Sequence, residues 1–215
     1  LLLFGASIVI TKFYSDQLKE LALIKLNEHL ETPIYVNEIS VSAFSQFPMI
    51  SLKLKEFYLE DIKSDNDTLV FAEELSLNFN ALDMLKRNYN VRKVILNDGF
   101  CRLKINEFGI NNYSIFESKN NSDSSQFQFQ IEEVSLDDIQ FDYSNKLLKQ
   151  YYSFDISNAL LSGEFTSTNY DIETNIDFKV NRFQIEDVNF IAQKNANLDL
   201  ILEVNNNPFN LKIDK

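Results

Sequence analysis

The chain has 215 residues and a formal net charge of −12, from 32 acidic and 20 basic side chains. This balance argues against nucleic-acid binding, which needs clustered Lys and Arg to displace counterions from phosphates. Cys101 and His29 are the only residues of their kinds and lie far apart, so neither an internal disulfide nor a Cys–His catalytic pair is expected. We predict a protein that is not an enzyme, with no catalytic residue, metal site or cofactor, in which Cys101 is a small core residue.

The first ten residues are almost entirely apolar, which indicates contact with a membrane. They are too few to cross a bilayer, which takes about 20 residues, and no basic start of a secretory signal precedes them. We expect residues 1–14 to be the end of a transmembrane segment that begins before the numbered chain, with Lys12, Phe13 and Tyr14 at the membrane interface. A buried core strand or helix is the alternative. The membrane-anchor candidates are Leu1, Leu2, Leu3, Phe4, Ile8, Val9 and Ile10.

Residues 15–31 predict an amphipathic helix, because they contain strong helix formers and no Gly or Pro, and Pro33 follows just beyond them. Such a helix could lie on a membrane surface or form a lid over the end of a sheet. The lid is favoured, since the polar side of the helix is not markedly basic. A second, short helix is predicted at residues 81–87, with Asn80 as its N-cap.

From Pro33 onward, apolar and polar residues alternate almost throughout. This period of two is typical of strands with one apolar and one wet face, as in antiparallel sheets. We predict a mainly β fold: a long, twisted, mostly antiparallel sheet that forms an open groove. The two helices predicted at residues 15–31 and 81–87 complete this fold. Residues 118–125 (SKNNSDSS) predict a flexible loop between an initial β region at 32–117 and a second at 126–215, which we expect to continue beyond the numbered chain. The alternating segments are residues 51–54, 74–80, 127–131, 139–143, 172–180, 198–204 and 209–213.

One sequence phrase recurs: an apolar residue, two polar residues, an apolar one, any, apolar, any, then Asp. It occurs at residues 54–62, 91–99 and 131–139, and in weaker form at 36–41 and 185–190. The unequal intervals favour strands added to one continuous sheet over strict modular repeats. The trailing Asp is predicted to start a turn, so the acidic pairs Glu60–Asp61 and Asp137–Asp138 are interpreted as turn caps rather than metal ligands. Gly99 is predicted at a bulge or turn.

The apolar side of the predicted sheet must be covered by something. A closed sandwich or barrel would bury it, and could serve as a structural or protein-interaction module on a membrane stalk. An open sheet would leave an apolar groove, which soluble monomers avoid unless it binds a ligand. The sequence alone does not choose between these. The groove candidates are Leu52, Leu54, Leu75, Leu77, Phe79, Phe127, Phe129, Ile131, Ile139 and Phe141.

An ordered set of features resembles the N-terminal region of the AsmA-like family of bacterial envelope proteins. The apolar N-terminus and helix lead into the phrase at residues 36–41, followed by Phe44, Phe47 and Pro48. Residues 71–77 (FAEELSL), the short helix, the phrase at 91–99 and residues 108–113 (FGINNY) complete the set; the last is similar to a G-x-x-N-aromatic ending common in the family. The resemblance covers residues 1–116, and beyond them it rests on strand periodicity and the phrase at 131–139.

This resemblance implies a single-pass protein of the bacterial inner membrane, with the bulk of the chain in the periplasm and a role in outer-membrane biogenesis. The family looks related to chorein-type bridge proteins, whose long β-grooves carry lipid between membranes. By that likeness, the apolar side of the sheet would line a groove for phospholipid or another acyl lipid. The inner membrane and other envelope proteins would be the remaining partners, and lipid transport between envelope membranes is the expected function.

Overall fold

The computed structural model of the chain describes residues 19–20, 23–24, 27, 32, 34–42, 48–61, 67–86, 88–114, 127–163, 169–206 and 209–214. Strands dominate these ranges. In chain order the elements are β1 (Ile34–Tyr35), β2 (Glu38–Ser42), β3 (Met49–Glu60), β4 (Thr68–Asn80), α1 (Ala81–Leu85), β5 (Tyr89–Ile105), β6 (Phe127–Asn145), β7 (Gln150–Gly163), β8 (Asn169–Ile185), β9 (Val188–Ile191), β10 (Lys194–Asn206) and β11 (Phe209–Asp214).

All the described strands belong to one sheet, in the order β1-β3-β4-β5-β6-β7-β8-β10-β11, with β2 also on β3 and β9 also on β8. The two ends of this order do not pair with each other, so the sheet is open. The predicted mainly β fold with a mostly antiparallel open sheet is confirmed. A closed barrel or sandwich, the alternative, is wrong for the described strands.

The centre of the sheet is a parallel pair, β5 and β6. Val94 lies beside Val134 and Leu96 beside Leu136, so two copies of the recurring phrase are neighbours in register. Charged side chains of the two copies pair as well: Arg92 Nη1 lies 2.9 Å from Glu132 Oε1. A parallel pair needs a long return connection, which falls between the end of β5 and the start of β6. The repeat therefore marks adjacent strands, a relation that an antiparallel meander does not predict.

Three residues inside strands have a left-handed backbone conformation: Glu56 in β3, Asp98 in β5 and Asp138 in β6, with φ of 49°, 51° and 50°. The registers place them on one line across the sheet, with Glu73 of β4 between Glu56 and Asp98. We call this the bulge line. The turns predicted at Asp98 and Asp138 are therefore wrong, because both residues lie within strands and interrupt the ladder as β-bulges do. Asp suits these positions, since its short polar side chain tolerates this conformation.

The bulge line changes which residues of a strand face the apolar side. In β3, Leu54 is buried before Glu56 and Phe57 is buried after it. In β6, the corresponding step is from Leu136 to Ile139, across Asp138. In the two copies of the phrase at residues 91–99 and 131–139, the trailing Asp thus marks a bulge within a strand and not the end of a strand.

Gly99 lies next to the bulge line, as predicted. A Cβ atom there would lie 2.1 Å from the Phe71 carbonyl oxygen and 2.8 Å from the Ala72 Cα. Only a residue without a side chain permits β4 and β5 to approach this closely.

The hydrophobic core lies over β3, β4 and the start of β5. Its largest fully buried side chains include Tyr89, Phe79, Ile50 and Leu52. Helix α1 contributes Ala81 and Met84 to the same cluster. Because these side chains are shielded from water, one side of the first three long strands is a dry interior.

Two helices are predicted from the sequence, and the described residues bear on both. Helix α1 ends at Leu85, short of the predicted segment 81–87, and Asn80 caps it as predicted, because its Oδ1 accepts a 2.8 Å hydrogen bond from Leu82 N. Within the predicted helix at 15–31, residues 19–20, 23–24 and 27 are helical. Residues 1–14 and 118–125, and with them the anchor and the loop predicted there, lie outside the described residues. No helix in the described ranges is long and apolar enough to span a bilayer.

Candidate functional site: the apolar face of the sheet

One face of the sheet carries apolar side chains in rows that cross the strands. Partner residues in successive strands form a continuous apolar row on the α1 side of the bulge line. This row consists of Leu54, Leu75, Leu96, Leu136, Ala159, Ile176 and Leu198. The bulge line changes the phase of alternation at the same place in neighbouring strands. The apolar side chains of these strands therefore stay on one face on both sides of the bulge line.

Beyond the bulge line the rows become aromatic. Phe141 stacks on Phe154 with ring centroids 6.3 Å apart. Tyr143 stacks on Tyr152 at 5.5 Å, and Tyr152 on Phe183 at 4.6 Å. These partners come from β6, β7 and β8, so the stacks run across the sheet. Stacked rings of this kind hold the apolar face rigid and broad.

Burial decreases along this face from β3 to β10, although Ala159 in β7 and Ile172 and Val180 in β8 stay buried. Leu52 and Leu54 in β3 have no exposed surface, Leu136 and Phe154 in β6 and β7 are half-buried, and Leu198 in β10 is 39% exposed. We call the half-buried and exposed part the open strip. It consists of Leu136, Phe141, Tyr143, Tyr152, Phe154, Leu161, Ile176, Phe178, Phe183 and Leu198.

The residues predicted to line a groove divide between the core and the strip. The core holds Leu52, Leu54, Leu75, Leu77 and Phe79, each at most 6% exposed. Phe141 lies in the open strip; Ile139 is on the same face but buried, and Ile131 is half-buried in β6. Phe127 and Phe129 are in β6, and their side chains lie outside the description.

Phe141 is the one strip residue among the predicted groove candidates, and strand β7 is absent even from the predicted alternating segments. Tyr152, Phe154 and Ile156 alternate with polar residues in the sequence, so a period-two signal is present. The two adjacent leucines, Leu160 and Leu161, interrupt this alternation, so the sequence pattern does not show that the strand continues to Gly163. Its register shows the two leucines on opposite faces: Leu161 is the partner of Val134, and Leu160 of Ser135.

The opposite face of the sheet is polar over β2 to β4. Lys53 Nζ lies 2.7 Å from Glu74 Oε1, and Lys55 Nζ lies 3.0 Å from Glu38 Oε2. Such partly exposed pairs contribute little to stability, but their row shows which face meets water.

An aromatic patch interrupts the polar face beyond the bulge line. Tyr58, Phe71 and Phe100 are neighbours there, with ring centroids 4.8 and 5.7 Å apart. The Arg102 guanidinium covers the Phe100 ring at 3.9 Å. This cation–π contact shields part of the patch from water.

Among the residues that the structure describes, two ionisable groups have a clearly shifted pKa. The hydrogen bond from the Lys104 ammonium lowers the pKa of the Asp67 carboxyl, with the Thr68 N–H and the Arg102 charge acting in the same direction against burial. Burial raises the pKa of the Cys101 thiol to about 11, and the Asp142 carboxylate adds to this. A thiol so strongly protonated is a poor nucleophile. The described residues contain no cluster of His, Cys, Asp and Glu that could hold a metal ion.

A shallow depression of about 550 Å³ lies along the bulge line. Gly99, Ile139, Ile156, Phe178 and Ala196 form its apolar part, and polar side chains such as Gln140 and Lys179 complete it. Its residues come from neighbouring strands of the sheet rather than from a cleft between elements. Its lining also includes Asp138, Asp155 and Asp177, so the depression is more polar than the apolar rows of the sheet.

Comparison with protein-family models, with curated proteins and with solved structures finds no match to this chain. Function therefore has to come from the chemistry of the sheet. What that chemistry offers is a broad apolar surface that is half open to solvent.

Proposed function

We propose that this chain is a non-enzymatic lipid-binding protein of the AsmA-like type, which holds acyl chains against the open strip. The observation that carries the proposal is the continuity of the apolar face. It runs without a polar break from the core at Leu54 to the exposed Leu198. A water-facing surface of this kind calls for an apolar partner.

The dimensions of the strip suit an acyl chain. From Val134 to Tyr143 it follows β6 for about 30 Å, and its four strands span about 14 Å across at the usual rise and spacing. One leaflet of a bilayer has a hydrocarbon depth of about 15 Å, so a single acyl chain fits along the strands. Each methylene that leaves water contributes about 0.8 kcal/mol, which makes a chain of ordinary length a strong ligand.

The cellular role follows from the resemblance to the AsmA-like family. We infer a protein anchored in the inner membrane by its N-terminal apolar segment, with the sheet in the periplasm. Phospholipid or another acyl lipid would be the cargo, and transport between the envelope membranes, in support of outer-membrane biogenesis, would be the purpose. The stacked rings of β6 to β8 offer flat apolar faces for an alkyl chain, and the only polar groups of these rings are the hydroxyls of Tyr143 and Tyr152.

The matched leucines of β7 provide the test. We expect Leu161→Asp to reduce co-purifying lipid per protein at least about tenfold, because it removes about 1.5–3 kcal/mol of apolar contact and places a charge against hydrocarbon. Leu160→Asp, one residue away on the polar face, should leave lipid content unchanged. Lipid is measured by mass spectrometry after gentle extraction, with circular dichroism confirming that both variants are folded.

Two results would sink this proposal. One is wild-type protein that is well folded and carries no lipid, even after incubation with phospholipid vesicles. The other is equal loss of lipid in both variants, which would show that the face does not matter.

A further inference from the structure

We propose that one end of the sheet inserts shallowly into a lipid bilayer. We call it the turn end; helix α1 lies at the opposite end, since it joins β4 to the start of β5. The turn end consists of three segments: residues 106–110 after β5, 146–149 between β6 and β7, and 186–191, which comprise the β8–β9 turn and β9. The topology brings these together because β5 and β6 are parallel and finish at the same end, where β7 begins and β8 finishes.

The turn end exposes large apolar side chains to a degree that a water-facing surface avoids. Each of its three segments carries at least two of them. Their exposed fractions are 80% for Phe108, 52% for Ile110, 56% for Leu147, 56% for Leu148, 55% for Val188, 61% for Phe190 and 46% for Ile191. Single exposed apolar residues are ordinary, but this concentration on adjacent turns marks an interaction site.

The segments form one surface. Lys146 N donates a 2.9 Å hydrogen bond to Ile105 O, which ties the β6–β7 turn to the end of β5. Glu186 N donates one of 2.7 Å to Lys149 O, which ties the β8–β9 turn to the start of β7. The apolar side chains are therefore held in place together.

In two of the three segments, asparagine side chains satisfy backbone N–H groups of exposed apolar residues. Asn106 Oδ1 accepts hydrogen bonds from Phe108 N at 2.9 Å and Ile110 N at 3.0 Å. Asn145 Oδ1 accepts one from Leu148 N at 3.0 Å. A bilayer interior offers no water to replace such bonds, so a turn can enter it only when its N–H groups already have partners. The asparagines meet this condition at the most exposed residues.

Two lysines of the turn end suit the surface of a bilayer. Lys146 and Lys149 flank Leu147 and Leu148, and all four are exposed. Lysines in this position can reach lipid phosphates while the leucines enter the hydrocarbon.

The acidic residues of the turn end set how far it can enter. Glu107, Glu186 and Asp187 are exposed beside the apolar positions. Their carboxylates favour water, which limits insertion to the outer 5–10 Å, roughly the depth of interfacial segments. The site is thus a shallow contact and not a span.

The open strip leads into this end, because the stacked Tyr143, Tyr152 and Phe183 are the part of the apolar face nearest the turns. A lipid leaving the bilayer at the turn end would meet the strip directly. This link rests on the proposed function, whereas the insertion itself does not depend on it.

The chain contains no tryptophan, which allows a clean test with single Trp variants of the full chain. Leu148→Trp places the probe at the turn end, and Leu82→Trp places it in α1 at the opposite end. The two leucines are matched, at 56% and 54% exposed. Both variants keep the N-terminal apolar residues, so tethering through those residues acts equally on both. The probe is a vesicle of phosphatidylcholine, with or without phosphatidylglycerol, with brominated acyl chains as the quencher.

We expect the Leu148→Trp variant to shift its emission to the blue and to lose at least half of it to brominated lipid, with or without phosphatidylglycerol. Leu82→Trp should show neither change. Equal quenching of both, or quenching of neither, would overturn the inference. So would a blue shift of Leu148→Trp that rises with protein concentration without vesicles, because it would identify a second copy of the chain as the occupant. Lipid extraction from the same samples keeps the two proposals apart: protein that carries lipid but is not quenched contradicts insertion alone.

Discussion

Asp137 and Asp138 are adjacent residues of β6 that differ in backbone conformation. Both side chains are exposed, but only Asp138 has a left-handed backbone, with φ of 50°. We expect Asp138→Val to destabilise the fold by about 1–2 kcal/mol, because a branched side chain resists this conformation. Asp137→Val should be neutral or slightly stabilising, since Val favours extended backbone. Thermal unfolding of both variants measures the difference, and equal melting temperatures would contradict the bulge.

Cys101 offers a pH-dependent prediction. Its pKa of about 11 lies above the ordinary value of 9.0, so at pH 8 we expect a thiol reagent to label the folded protein about 100-fold more slowly than the unfolded chain. The folded state holds this proton more tightly, so the associated stabilisation is complete below pH 9 and is lost as the pH rises through about 11. Rapid labelling at pH 8 without denaturant would show that the thiol is not shielded.

At the scale of elements, alternation locates many of the strands but does not identify their partners. Residues 172–180 and 198–204 read as strands from period two alone, and they lie within β8 and β10. The parallel pairing of β5 with β6 could not be predicted, because alternation reports which face is apolar and not the direction of the neighbour. The only sequence feature that corresponds to this pairing is that the same phrase occurs in both strands, at residues 91–99 and 131–139.

The bulges explain a second gap between the sequence and the elements. A bulge changes the phase of alternation, so a strand that contains one reads as two short strands with a turn between them. The sequence of β6 predicts strands at residues 127–131 and 139–143, whereas the structure has one strand from Phe127 to Asn145. Trailing Asp residues mark turns and left-handed bulges alike, so the residue type alone does not separate the two.

For the candidate site, the sequence indicates an apolar face but not which part of it is free. Leu77 and Phe141 both stand in alternating segments with similar neighbours, yet Leu77 is 2% exposed and Phe141 is half-buried. Coverage of a face is a tertiary property, decided by what packs over it. A charge at Leu77 would therefore disrupt the core, and only the open strip can test ligand binding.

At the scale of the whole molecule, the burial of apolar side chains decreases across the sheet, from the packed strands β3 and β4 to the more exposed strands β9 and β10. Buried contacts concentrate in β3, β4 and the start of β5, while β9 and much of β10 are exposed. The open side of such a sheet has fewer of the buried contacts that make strands cooperative. A ligand that covers the strip would supply the missing apolar contacts.

Amide hydrogen exchange tests this gradient. We expect protection in β3 and β4 to exceed that in β8 and β10 by at least about 100-fold, because opening free energies follow buried apolar contact. Adding phosphatidylcholine vesicles should slow exchange in β6 to β8 and leave β3 and β4 unchanged, since a bound acyl chain stabilises only the part that it covers. Leu161→Asp provides the control, because it should abolish the lipid-dependent change while keeping the gradient. Uniform protection along the sheet would refute the gradient, and slowing confined to β3 and β4 would place the lipid elsewhere.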